Sequence, residues 1–204
     1  MLTVKEKNQL AQQTTRHKAM KAKVHEKSDL ANDDKRRVLV LTGNGKGKTS
    51  SGFGIVFRAF GHGQGCAVVQ YLKGDAESGE RNVLQQLGVP VVTMNTGCSF
   101  KAGYCAERER IRAREVWQQT LIFLQDPSVD VLLLDEVTYM VARKHLDVNE
   151  MIAAFEARPI NQSVIITGRA AHRKLREYAD TVSRVDCVKH GLQIGLKARK
   201  GIEF

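Results

Sequence analysis

The sequence predicts an α/β domain built on a mostly parallel six-stranded sheet flanked by helices, preceded by a basic N-terminal arm. Three observations predict it. Short apolar runs alternate along the chain with stretches of helical periodicity. The runs lack strict polar alternation, which marks strands covered on both faces. The first run ends in a glycine- and lysine-rich loop that leads straight into a helix. The 204 residues are 42% hydrophobic, enough for one domain with a sizeable core.

Residues 1–36 form the arm, and residues 37–204 the domain. Ten basic residues stand against five acidic ones in residues 1–37, so half of the +10 net charge lies in a segment poor in apolar residues. The arm reads as solvated and partly helical. The alternative is an arm that folds over a phosphate-bearing site or a partner subunit. Val38–Leu41 is the first strand. Thr49–Phe60 is a helix, ended by Gly61 and Gly63. Cys66–Leu72 is a strand, Glu80–Leu87 a helix stopped by Gly88, and Val91–Met94 a third strand. A loop spans Asn95–Gly103. Glu107–Leu124 is a long helix with one apolar face, on which Trp117 is a core anchor. Val131–Leu134 is a strand closing on Asp135-Glu136. Asn149–Ala157 is helical and is broken by Arg158-Pro159. Ser163–Thr167, a helix at Arg173–Ala179 and a sixth strand at Thr181–Val188 complete the pattern.

No apolar run approaches membrane-spanning length, and the N-terminus lacks the apolar core of a secretion signal, so a cytoplasmic protein without a membrane partner is expected. Cys66, Cys98, Cys105 and Cys187 form no C-x-x-C pair and read as free thiols, Cys66 and Cys187 as packing residues. The histidines show no metal-ligand spacing. His145, His172 and His190 read as surface or supporting groups.

The ligands of such sheets gather at the carboxyl ends of the strands. There the run Thr42-Gly43-Asn44-Gly45-Lys46-Gly47-Lys48-Thr49 offers backbone N–H donors at close range and the positive end of a helix. Gly43 through Thr49, with Ser50, are the ATP-binding candidates. Lys48 supplies charge to the outer phosphates, and the Thr49 hydroxyl suits Mg²⁺. The run departs from G-x-x-x-x-G-K-[ST], because Thr42 stands where the first glycine belongs. Asp135-Glu136 supplies carboxylates at the end of a buried strand, where they can hold Mg²⁺ directly or through water.

Several segments together resemble the ATP:cob(I)alamin (corrinoid) adenosyltransferases of the phosphate-loop class, whose fold is RecA-like. They are Thr42–Thr49, Arg58-Ala59 with Gly61-His62-Gly63, Val69–Gly74, Gly79–Asn82, and Leu134-Asp135-Glu136 with Thr138-Tyr139. Ala157-Arg158-Pro159, Val164–Arg169 and Gly201-Ile202-Glu203-Phe204 complete the set. The shortened glycine loop is itself a feature of that family. The resemblance implies ATP held in reversed orientation, attack by a reduced Co(I) corrinoid on C5′ of the ribose, and departure of intact triphosphate. Lys48, Thr49 and Glu136 would be catalytic. Thr49 and Glu136 would be the metal ligands, with Asp135 the alternative to Glu136. Arg58 and Arg169 would contact phosphate or corrinoid, with structural salt bridges the alternative.

The family usually reads Gly-Phe-Thr-Trp after the third strand. Here the segment is Gly97-Cys98-Ser99-Phe100, so one aromatic survives. Phe100, helped by Tyr104, would fill the lower face of the corrinoid. The resemblance further implies a homodimer and an electron-donating flavoprotein as partner. Two other readings are a same-fold transferase with a different acceptor, suggested by Cys98, and a nucleic-acid-associated ATPase, suggested by the charge. Against the latter, the sequence shows neither an aromatic–basic stacking motif nor a helix-turn-helix.

Overall fold

The computed structural model describes residues 4–29, 36–72, 78–95 and 105–203. The chain divides into two units, Met1–Lys35 and Arg36–Phe204. The first contains one helix, α1 (Val4–Asp29). It is rich in Lys, Gln and Ala and contains neither Gly nor Pro, which suits an uninterrupted helix. Its described side chains are exposed. A helix polar on every side gains little from burial.

The second unit holds a six-stranded sheet. Its strands are β1 (Val38–Thr42), β2 (Cys66–Gln70), β3 (Val91–Thr93), β4 (Val131–Asp135), β5 (Ser163–Thr167) and β6 (Thr181–Arg184). Their order is β3-β2-β4-β5-β1-β6, and every adjacent pair is parallel. β5 stands between β1 and β4, in the RecA-like arrangement. The helices are α2 (Lys48–Gly61), α3 (Gly79–Gln86), α4 (Ala106–Gln125), α5 (Thr138–Ala142), α6 (Val148–Ala157) and α7 (Arg173–Tyr178).

Alternate strand residues feed two cores, as the period of two requires. Val40, Val69, Leu134 and Ile166 pack with Trp117 of α4, Met151 and Phe155 of α6 and Leu175 of α7. Leu41, Val68, Leu133 and Ile165 pack with Phe53 and Val56 of α2 and Leu84 of α3. The central strands are therefore apolar on both faces, which is why they read as continuous runs. Trp117 is fully buried, and its indole N–H donates to Glu150 Oε1 at 2.8 Å. Among the described residues, no helix is long and apolar enough to cross a membrane.

Three expectations need correction. β2 ends at Gln70, because β4 ends opposite it at Asp135; the Tyr71 N–H makes the last bond of that ladder, to Asp135 O, and its side chain pairs with Thr120. β6 ends at Arg184, and Cys187 beyond it is exposed. Cys66 alone of that pair is buried, and burial pushes its thiol up to about 11. Of the two readings of His145, surface or supporting group, the structure gives the second: it is buried against Glu109.

Candidate active site

β1 delivers the glycine loop to the carboxyl edge of the sheet, one strand away from the end of β4 through β5. Gly43 has φ 100, and a Cβ there would lie 2.4 Å from Val185 O. A Cβ on Gly45 would lie 2.6 Å from Asp186 O, and the Gly45 N–H donates to Val185 O at 2.8 Å. These two glycines let the segment after β6 back the loop directly. Gly43→Ala is therefore both strained and overpacked, costing about 1–3 kcal/mol. We expect a lower melting temperature and weaker ATP binding from it, read by thermal unfolding and calorimetric titration. Gly47 takes φ 108 at the N-cap, and α2 starts at Lys48.

Lys48 lies over its own loop, Nζ donating to Gly45 O at 2.6 Å. Burial lowers its pKa, and the Arg169 charge lowers it further, against the opposing pull of Glu136 and Asp135. Thr49 turns inward, and its hydroxyl donates to Asp135 Oδ1 at 2.9 Å. Asp135 is fully buried and also accepts from Thr167 Oγ1 at 2.7 Å and Gln70 Nε2 at 3.0 Å. Gln70 Oε1 has no hydrogen-bond partner among the described residues. Three strand ends, β2, β4 and β5, thus converge on one carboxylate behind Thr49.

Glu136 behaves differently. Its backbone is left-handed, φ 61, and its N–H donates to Thr167 Oγ1 at 2.9 Å. That turn points the chain out of the sheet, and Glu136 lines a cleft of about 810 Å³. Loop residues 45–50 also line it, with the first turn of α3, Tyr139, Arg169 and residues 201–203. Lys46 sits 3.7 Å from Glu203 at its rim. The cleft therefore joins a cationic, glycine-rich loop to a carboxylate, an arrangement suited to a polyphosphate and a divalent cation.

Residues 34–204 match the family described as ATP:corrinoid adenosyltransferase BtuR/CobO/CobP. The chain belongs to that family. It is 44% identical to the corrinoid adenosyltransferase of Escherichia coli K12 over 189 residues, covering 93% of this chain and 96% of the relative. It is 42% identical to the corrinoid adenosyltransferase CobA of Salmonella typhimurium LT2, with the same coverage. The Pseudomonas aeruginosa enzyme is 39% identical over 186 residues, 90% of this chain and 91% of that one. Among solved structures, a KaiC-like protein from Pyrococcus horikoshii aligns at a TM-score of 0.40 and 14% identity, over 74% of this chain and 72% of its own.

In this adenosyltransferase the structure brings Gly45, Lys46, Gly47, Lys48, Thr49, Ser50, Glu136 and Arg169 to one cleft. Gly43 lies behind it against Val185, and Asn44 is exposed at the loop tip. Asp135 is present but turned away, behind Thr49. Arg58 does not line the cleft. It is exposed in the last turn of α2, nine residues from Thr49 and so about 14 Å along the helix, too far for a shared phosphate contact. Gly97, Cys98, Ser99, Phe100 and Tyr104 lie outside the described residues. Sequence reasoning missed Gln70 and Thr167 as Asp135's partners and residues 201–203 as cleft wall. One signal for the first was available: a glutamine at the end of an otherwise apolar, fully buried strand needs a partner.

Proposed function

We propose that this protein transfers the 5′-deoxyadenosyl group of ATP to the cobalt of a reduced Co(I) corrinoid, with release of triphosphate. The cleft carries this reading, since it sets Lys48 and Thr49 beside Glu136 in a chain of this family. In the transfer, the cobalt electron pair forms the Co–C5′ bond while the C5′–O bond breaks. Triphosphate leaves with that bonding pair. Cobalt is oxidised formally from Co(I) to Co(III), and no proton need move. The chemistry therefore asks little of the protein beyond alignment and charge neutralisation. Loop N–H groups and Lys48 hold the triphosphate. Arg169, near enough to depress Lys48, adds positive charge on the same side.

The residues fit Mg²⁺. This hard cation takes oxygen ligands and keeps several waters, so one hydroxyl, one carboxylate and substrate phosphates suffice. Thr49 and Glu136 would hold it, and Asp135 orients the Thr49 hydroxyl. When bound, Mg²⁺ supplies neutralisation of charge on the departing triphosphate. The family resemblance also supports a homodimer, a cytoplasmic setting and a flavoprotein that keeps the corrinoid reduced.

The test mixes the protein with MgATP and cob(I)alamin without oxygen. A light-sensitive Co–C product and triphosphate in equal amounts are expected. Orthophosphate with ADP would instead mark an ATPase. Bound ATP with no corrinoid product would mean a different acceptor.

A further inference from the structure

Behind the cleft lies an ion cluster that the transfer chemistry does not use. Glu109, in the first turn of α4, is only 2% exposed. A carboxylate that deep is costly unless both oxygens are matched. Here Oε1 accepts from Arg143 Nη1, and Oε2 meets His145 Nε2 at 2.8 Å. The two partners flank Lys144, which is left-handed at φ 59. That backbone is unfavourable for a residue with a Cβ. It bends the chain after α5 so that both neighbours reach one carboxylate. A buried charge and a strained turn are thus combined at one point, and such combinations persist where the surroundings impose them.

A contact between Arg143 and Tyr139 joins the cluster to the cleft. The Arg143 guanidinium lies over the Tyr139 ring, with Cζ 5.7 Å from its centroid. Tyr139 lines the cleft three residues after Glu136. Loop residues 45–50 present the phosphate donors, whereas Tyr139 presents an aromatic ring to the same cleft, a surface that suits the adenosyl or corrinoid end of the substrates better than phosphate. We propose that Glu109 is a positioning residue for the transfer: through Arg143 it holds the Tyr139 ring where C5′ and the acceptor meet, with His145 as a second anchor. This inference rests on the proposed adenosyl transfer. An in-line displacement is sensitive to misplacement, and a shift of about 1 Å in a wall can cost up to about 10²-fold.

The experiment is a double-variant cycle in the full-length protein, with Glu109→Gln, Tyr139→Leu and both together. The readouts are kcat/KM for cob(I)alamin at saturating MgATP, the Kd for inorganic triphosphate, and the melting temperature. Glu109→Gln is expected to lower kcat/KM by about tenfold while the triphosphate Kd stays within about twofold. The double variant is expected to be no worse than Tyr139→Leu alone, because both changes remove the same ring placement. Should Glu109→Gln fail to fold, Arg143→Met takes its place in the same cycle. Losses that multiply in the double variant would overturn the proposal. So would a loss of triphosphate binding parallel to the loss of turnover, which marks a purely structural role. A wild-type protein that makes no adenosylated corrinoid would overturn this inference and the transfer together. An active wild type with multiplicative losses would overturn this inference alone.

Discussion

Lys48→Ala is expected to lower kcat/KM for ATP by about 10²–10³-fold, the scale on which a preorganised electrostatic group aimed at developing charge is worth about 3–4 kcal/mol. The side chain touches its own loop at 2.6 Å and borders the cleft, so in the proposed transfer its ammonium would stand beside the leaving polyphosphate. Lys48→Arg is not expected to rescue it. A planar guanidinium cannot occupy the place of a compact ammonium folded onto the Gly45 carbonyl. The pH profile is a second signature. Burial, aided by Arg169, makes this lysine shed its proton at lower pH than an ordinary lysine. The charge needed for phosphate is present below that pKa and is lost as pH rises through it. The alkaline limb of kcat/KM for ATP should therefore fall below the ordinary lysine range. Bound triphosphate favours the charged form, so the limb in kcat should lie at higher pH than that in kcat/KM. Arg169→Ala removes one depressing charge and should move the kcat/KM limb upward. An unmoved limb would assign the titration to another group.

Asp135→Asn is the second large effect, and it falls first on stability. The carboxylate accepts from Thr49, Thr167 and Gln70 with no solvent contact. An amide has one acceptor oxygen, and its NH₂ confronts donors. Hydrogen bonds to a charged group contribute about 1.5–3 kcal/mol, and a stranded buried donor costs about 1–3. A net loss of about 2–4 kcal/mol is expected, which for a domain of this size lowers the melting temperature by about 5–15 °C. Glu136→Gln should separate from it. Glu136 is at the cleft surface, so that variant should melt near wild type while needing more Mg²⁺ for half-maximal turnover. The reverse pattern would make Asp135 the metal ligand and Glu136 its support.

The parts of the fold legible in sequence were those decided by local apolar content. β1, β4 and β5 are runs such as Val38–Leu41 and Val131–Leu134 whose neighbours on both faces are apolar. Their register with one another is non-local, yet the parallel pattern follows from the helices between them. Boundaries failed where a strand outran its neighbour. Tyr71 looks like strand, but β4 stops at Asp135, opposite Gln70, and leaves it nothing further to pair with in that ladder. α5 was not foreseen because Thr138-Tyr139-Met140-Val141 is β-prone and the helix is only five residues long. That loop residues 45–50 and Glu136 meet at one cleft was legible because a glycine-rich loop and an acidic strand end both fall at the carboxyl edge of a parallel sheet. Gly43 and Gly45 carry a second duty that no local reading reveals, since the atoms pressing on them belong to Val185 and Asp186. The Glu109 cluster was illegible for a similar reason: its charges look like solvated helix and loop until the turn at Lys144 is seen.

The strand order has a consequence for how the chain is made. Of the six strands described, β1 is made first, yet its two neighbours, β5 and β6, are made after the other three. At about 5–20 residues per second, β1 waits on the order of ten seconds for its first partner. Throughout that interval Val38 and Val40, fully covered in the finished sheet, are without either of the strands that flank them there. Segment 185–186, which backs the phosphate loop, emerges later still. The backing of the loop is therefore incomplete until 185–186 has emerged, so nucleotide binding at that loop is a late event in the making of this domain rather than a template for it.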